Sequence, residues 1–141
     1  MYTGKGHLQP ALMTDLYQLT MVAGYYLNRW EAEATFELFI RSLPANRSYL
    51  VAAGLEQAAQ FLLHLRFDEE SVEFLRRLPV LAHLPDDFFA YLLRFRFEGD
   101  VWGVSEGTLV FPNEPILQVR APLPQAQLVE TFLLSLIHFQ T

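Results

Sequence analysis

The sequence predicts an α+β fold, and three observations predict it. Residues 12–27 place apolar side chains at helical spacing, and residues 34–43 alternate apolar and polar. Residues 96–123 set Gly99, Gly103, Gly107, Pro112 and Pro115 among short β-rich runs, with helical segments before and after them.

The elements follow in order. Residues 1–11 are polar and carry Gly4, Gly6 and Pro10, so they read as an arm. Leu12, Leu16, Leu19, Ala23 and Leu27 then recur at three- and four-residue steps as one apolar stripe, which predicts a helix buried along that stripe and ended by Asn28 and the acidic run after it. In 34–43, Phe36, Leu38 and Ile40 point one way and Thr35, Glu37, Phe39 and Arg41 the other, the pattern of a half-buried strand. Pro44 and Asn46 mark a turn over 44–48, and 49–54 reads as a second strand closing at Gly54.

Three short helices come next. The first covers 55–65. The second starts at Asp68, a good N-cap, with Glu69 and Glu70 in its first turn, Arg76 and Arg77 in its last, and Pro79 as its stop. The third covers 85–95, again with acids at its start. Strands are expected over 97–104, 108–111 and 116–121, and a final helix over 124–141 with Pro124 near its start. There is no internal repeat. The organisation expected is an arm (1–11), one α+β domain (12–123) and a helix (124–141) that begins whatever follows.

That last helix reaches Thr141 with no glycine, asparagine or proline stop signal, and Phe132–Phe139 is apolar nearly all round. Two readings fit: the helix belongs to something longer, or it docks on its own sheet.

Composition excludes several function classes. The 141 residues are 52% apolar and 14% aromatic, so a packed core is expected rather than disorder. With no cysteine there is no disulfide scaffold, thiolate metal site or cysteine nucleophile. A net charge of −6 argues against a nucleic-acid binder. Residues 1–10 lack the apolar core of a signal peptide, and no apolar run reaches the ~18 residues of a membrane span. A soluble, cytoplasmic protein without membrane or nucleic-acid partners is the expectation.

The most suggestive local feature is Thr14–Met21. With Asp15 as N-cap, Gln18 falls at N3, the reciprocal position of a capping box. Tyr17 is then in the first turn and turned off the stripe, on a second face with Met21, Gly24 and Asn28. A helix start favours an anion, so a flat aromatic beside one could stack a planar, negatively charged ligand. The plain alternative is that Asp15 only caps and Tyr17 only packs. Arg41, at a strand end with Arg47 in the next turn, has the chemistry for bidentate phosphate contacts; the plain alternative is a surface pair with Glu37. His7, His64, His83 and His138 are scattered without metal-ligand spacing, so no metal site is expected. No phosphate-binding glycine loop and no Ser–His–acid set occurs.

Three blocks carry a resemblance. The run TDLYQLTM (14–21), the run FELFIRSLPANRSYLVAAGLEQ (36–57) and the run from Phe97 to Gln140 follow one another as they do in the N-terminal part of nicotinate phosphoribosyltransferases. The chain resembles that family from Leu12 onward. The Asp-x-Tyr piece alone is shared with the sister nicotinamide enzymes.

The resemblance implies a mixed α/β N-terminal domain of a type II phosphoribosyltransferase, leading into an irregular α/β barrel. It implies conversion of nicotinate and 5-phosphoribosyl 1-diphosphate to nicotinate mononucleotide and diphosphate, with ATP hydrolysis and Mg2+, in a homodimer whose N-terminal domain covers the partner's active site. On that basis Tyr17 matches the ring-stacking tyrosine, Asp15 the acid of the same motif, and Arg41 an arginine that points at the phosphates. The family's phosphorylated histidine sits in a Gly-Thr-x-Ala-His type of segment, which is absent here, so no catalytic residue and no turnover is expected of this chain alone. Ser135 and His138 stand where the family usually has Asn. A non-catalytic interaction module, with 124–141 as its docking face, and the sister nicotinamide or quinolinate enzymes remain as alternatives.

Overall fold

The computed structural model describes residues 10–141; the arm expected over 1–11 lies outside the described residues except for Pro10 and Ala11, which form one 3-10 turn with Leu12. Helix α1 spans Leu16–Leu27, strand β1 Glu33–Phe39 and β2 Leu50–Val51. Helices α2 (Leu55–His64), α3 (Glu69–Arg76) and α4 (Asp86–Arg94) follow, then β3 (Asp100–Gly103), β4 (Leu109–Val110), β5 (Pro115–Pro122) and α5 (Leu123–Gln140). The α+β class is as the patterning predicts.

The main sheet has the order β1-β5-β3, antiparallel throughout, so the strand latest in sequence lies in the middle. Its register runs from Glu33 opposite Pro122 to Leu38 opposite Leu117, and the pairing slips between Leu38 and Phe39. That slip ends β1 before the expected Leu43: beyond it, Ile40 offers its carbonyl to the Asn113 N–H at 2.7 Å. On β5, Ile116, Leu117, Val119 and Ala121 are buried, which suits a strand covered on both sides. The strand expected over 49–54 is only the two-residue β2, paired with β4 in a separate ribbon. It ends where Gly54 takes φ +93°, a left-handed conformation natural for glycine, and turns the chain into α2.

Helix α5 follows β5 without a loop and packs along α1 and against β1 and β5. Ala126, Leu128, Val129, Leu133 and Ile137 are buried, while Phe132 stacks on Phe61 of α2 with centroids 3.7 Å apart. The helix thus docks on its own sheet, yet Leu134 and Phe139 remain 45% and 90% exposed.

Helices α3 and α4 form a second layer of core around Phe88, Phe89, Leu75 and Leu92. Each such side chain contributes roughly 1.5–3 kcal/mol by leaving water. Asp68 caps α3 as expected, its Oδ1 accepting from the Ser71 N–H at 2.8 Å. Tyr26 joins α1 to this layer through Phe88 and Tyr91, with centroids 5.6 and 5.0 Å away.

The burial of α1 departs from the stripe. Its buried face is Gln18, Leu19, Val22 and Ala23, whereas Leu16 and Leu27 are half exposed. The helix is rotated so that Gln18 faces α5, where polar groups receive it.

Candidate functional site at the start of α1

Asp15 occupies the N-cap position in extended conformation, and its carbonyl accepts from the Gln18 N–H at 3.1 Å. Its carboxylate does not cap. Oδ2 accepts from Thr131 Oγ1 of α5 at 3.0 Å instead. The expected capping box between Asp15 and Gln18 is therefore not formed, because α5 offers the carboxylate a donor and Gln18 turns inward.

Tyr17 is 51% exposed, with its ring off the buried face as expected. Its Oη accepts from Gln18 Nε2 at 3.0 Å. Behind the ring lies a polar cluster that links α1 to α5. Gln18 is fully buried and Gln127 nearly so. Glu130 Oε2 accepts from Gln18 Nε2 at 2.9 Å and from Gln127 Nε2 at 3.0 Å. Gln127 Nε2 also donates to Gln18 Oε1, and Tyr25 Oη donates to Gln127 Oε1 at 3.4 Å. Burying two amides is tolerable only because each finds a partner.

Sequence reasoning singled out neither Gln127, Glu130 nor Thr131. A signal existed: the three fall at i, i+3 and i+4, one polar face on an otherwise apolar helix.

Arg41 lies just past β1 and is exposed. It does not pair with Glu37, whose Oε1 accepts from Gln118 Nε2 at 2.8 Å across the sheet. Arg41 lines two clefts. One, of about 310 Å³, runs past Phe36, Leu117, Leu134 and Glu130. The other, of about 670 Å³, also holds Arg47 and His138. No acidic side chain lines that larger cleft, and among the described residues neither arginine forms an ion pair. The larger cleft thus carries Arg41 and Arg47 without an acidic side chain, whereas the smaller one sets Arg41 among Glu37 and Glu130. Glu130 belongs both to the cluster behind Tyr17 and to the smaller cleft beside Arg41. Tyr17 and Asp15 line neither cleft.

Among the described residues no group of three or more His, Asp or Glu side chains is placed to hold a metal ion. His64 Nδ1 lies 2.8 Å from the Gln60 carbonyl, and His7 lies outside the described residues. No helix among them is long and apolar enough to cross a membrane. Away from the site, burial and neighbouring charge act on Tyr91 and Arg120. Burial, then the nearby Glu31 and Tyr26, pushes the Tyr91 phenol up to about 12. A hydrogen bond from Arg120 to Glu33 raises the guanidinium further.

Fold and tip together define a class: an α+β domain that presents a solvent-facing ring and a carboxylate where its first helix begins, the carboxylate bonded to the polar face of its last helix and the ring to a buried amide that the same face receives. Residues 12–138 match the nicotinate phosphoribosyltransferase (NAPRTase) N-terminal domain, and the chain belongs to that family. It is 49% identical over 131 residues to the nicotinate phosphoribosyltransferase pncB2 of Mycobacterium tuberculosis, covering 93% of this chain and 28% of that protein. It is 42% identical over 132 residues to the nicotinate phosphoribosyltransferase of Bacillus subtilis, covering 93% of this chain and 26% of that one. The crystal structure of human nicotinic acid phosphoribosyltransferase superposes with a TM-score of 0.79 at 40% identity, over 89% of this chain and 25% of that one. The chain therefore spans about a quarter of the length of the relatives it matches.

Proposed function

We propose that this chain is the N-terminal portion of a nicotinate phosphoribosyltransferase and builds one wall of its pyridine site. The observation that carries the reading is the start of α1, where an exposed Tyr17 follows Asp15 by two residues, Asp15 bonded to Thr131 of α5 and Tyr17 to the buried Gln18. In the reaction the pyridine nitrogen of nicotinate attacks C1 of 5-phosphoribosyl 1-diphosphate. The C1–oxygen bond to diphosphate breaks, and nicotinate mononucleotide and diphosphate leave, with ATP hydrolysed in a coupled step.

Tyr17 stacks on the pyridine ring and fixes its plane, a contact worth about 0.5–1.5 kcal/mol beyond burial. The partial positive charge of the helix start suits the nicotinate carboxylate. Asp15 favours the positive charge that the ring nitrogen gains on attack. Arg41 holds a phosphate, a role supported by the cleft it shares with Arg47 and by the lack of acids there. These groups hold and align substrates, which is where much of such a reaction's acceleration arises.

In this reading the chain has no turnover alone. The phosphorylated histidine and the rest of the phosphate site belong to a barrel beyond residues 124–141, in a cytoplasmic homodimer. The reading assigns Mg2+ and ATP to that barrel as well.

The test is formation of nicotinate mononucleotide by this chain alone and mixed with a barrel segment of the family. Product only in the mixture supports the reading. Product from the chain alone would show the chemistry is misplaced. A second reading, a non-catalytic interaction module, draws on the exposed Leu134 and Phe139 of α5. Silence in both arms with a well-folded chain would favour it.

A further inference from the structure

We infer that Glu130 is a positioning residue for Tyr17, acting through the buried amide of Gln18. The inference rests on reading Tyr17 as the platform for the pyridine ring.

A side-chain amide has a donor end and an acceptor end of nearly equal shape, so packing alone does not choose its orientation. A carboxylate chooses it. Glu130 Oε2 lies 2.9 Å from one end of the Gln18 amide and 3.0 Å from one end of the Gln127 amide. An ionised carboxylate only accepts, so both contacting ends are NH2 groups. Turning either amide over would set a carbonyl oxygen against a carboxylate oxygen in a part-buried place, where such repulsion is poorly screened.

Everything else in the cluster follows from that choice. The Gln127 NH2 also donates to Gln18 Oε1, and Gln127 Oε1 is left to accept from Tyr25 at 3.4 Å. The Gln18 NH2 has a second hydrogen, and Tyr17 Oη accepts it at 3.0 Å, closer than Thr131 Oγ1 at 3.4 Å. The Tyr17 hydroxyl is thus an acceptor towards the protein, and its own hydrogen faces away from the cluster, towards ligand or water. One carboxylate on α5 therefore fixes the ring's hydroxyl and its donor direction on α1. The same carboxylate also lines the smaller cleft beside Arg41.

The test uses the full chain with 13C-labelled tyrosine rings, mixed with a barrel segment of the family so that the pyridine site is complete, Tyr17 being assigned with Tyr17→Phe. Ring relaxation of Tyr17 is measured without ligand, and its shift is followed on adding nicotinate. The variants are Glu130→Ala, Gln18→Met and the double variant, with thermal melting run on each.

In Glu130→Ala the Tyr17 ring is expected to gain motion while the Tyr49 ring does not, and nicotinate is expected to bind on the order of threefold to tenfold more weakly. Gln18→Met should do the same, and the double variant should add nothing further, because Glu130 acts through Gln18. A merely structural role for Glu130 would lower the melting temperature without singling out Tyr17, and additive effects would likewise overturn the inference. So would an unchanged Tyr17 ring in a folded Glu130→Ala chain. If Tyr17 in the parent chain ignores nicotinate yet loosens in Glu130→Ala, the platform reading fails while the coupling itself stands.

Discussion

The hydroxyl of Thr131 on α5 donates to the carboxylate of Asp15, at the start of α1, at 3.0 Å. The two residues lie at opposite ends of the sequence, and the bond ties the acid of the first helix to the last helix. If it holds the two helices together, a double-mutant cycle of Asp15→Ala and Thr131→Val should show a coupling energy of about 1 kcal/mol in urea unfolding. A coupling near zero would mean that the apolar contact of α1 with α5 suffices to hold the two helices.

Tyr17→Ala should leave stability within about 0.5 kcal/mol, since the ring is 51% exposed and touches the core little. Nicotinate affinity, measured with the barrel segment present so that the site is complete, should fall by up to about tenfold. Isothermal titration and melting on the same samples separate the two effects. Unchanged affinity would return Tyr17 to packing alone.

Tyr91 should make stability depend on alkaline pH. Its phenol is raised to about 12, first by burial and then by Glu31 and Tyr26, against 10.0 for a free phenol. In the unfolded chain the group loses its proton near pH 10, while the folded chain keeps it, so the unfolded state binds fewer protons across the window between those values. Stability is then fully present below pH 10 and falls as pH rises towards about 12. The loss is about 2 kcal/mol after discounting for the ring's partial exposure. Denaturant unfolding at pH 9 to 12 in the parent and in Tyr91→Phe checks this: the difference between the two curves should carry the slope.

Two glycines should respond with opposite sign to alanine. A Cβ on Gly99 would come within 2.5 Å of both the Arg120 carbonyl oxygen and the Ala121 Cβ, so the backbone leading into β3 must shift. Gly99→Ala should cost about 1–3 kcal/mol. At Gly24, inside α1, nothing lies within 4 Å of an added Cβ. Gly24→Ala should stabilise by up to about 1 kcal/mol through helix propensity. Thermal melting of the two variants decides it, and equal signs would mean that the close approach of Gly99 to β5 is misjudged.

Much of the fold was legible because local patterning and tertiary structure agree. Asp68 announced α3, and the alternation of Phe36 and Leu38 announced β1. What was illegible depended on partners distant in sequence. The burial of Gln18 cannot be read from periodicity, because a buried amide looks like a surface residue until Gln127 and Glu130 are known to face it. For the same reason the stripe chose Leu16 over Val22. Strand order was equally hidden: nothing local marks β5 as the middle strand. At the site, the types of Asp15, Tyr17 and Arg41 drew notice from sequence, while Thr131, which bonds Asp15, and Glu130, which reaches Tyr17 through Gln18, did not. The plain alternative for Arg41, a surface pair with Glu37, is not formed; Gln118, across the sheet, donates to that carboxylate.

The position of β5 in the middle of the sheet also sets an order of events at the ribosome. Both edge strands find their hydrogen-bond partners only on residues 115–122. At about 5–20 residues per second, the ~80 residues between β1 and the end of β5 take roughly 4–16 s to synthesise. During that interval the alternating apolar face of β1 has emerged with nothing to pair with. The sheet therefore closes late, by a long-range contact of the kind that slows folding. The nascent chain presents a bare strand to chaperones before it presents a domain.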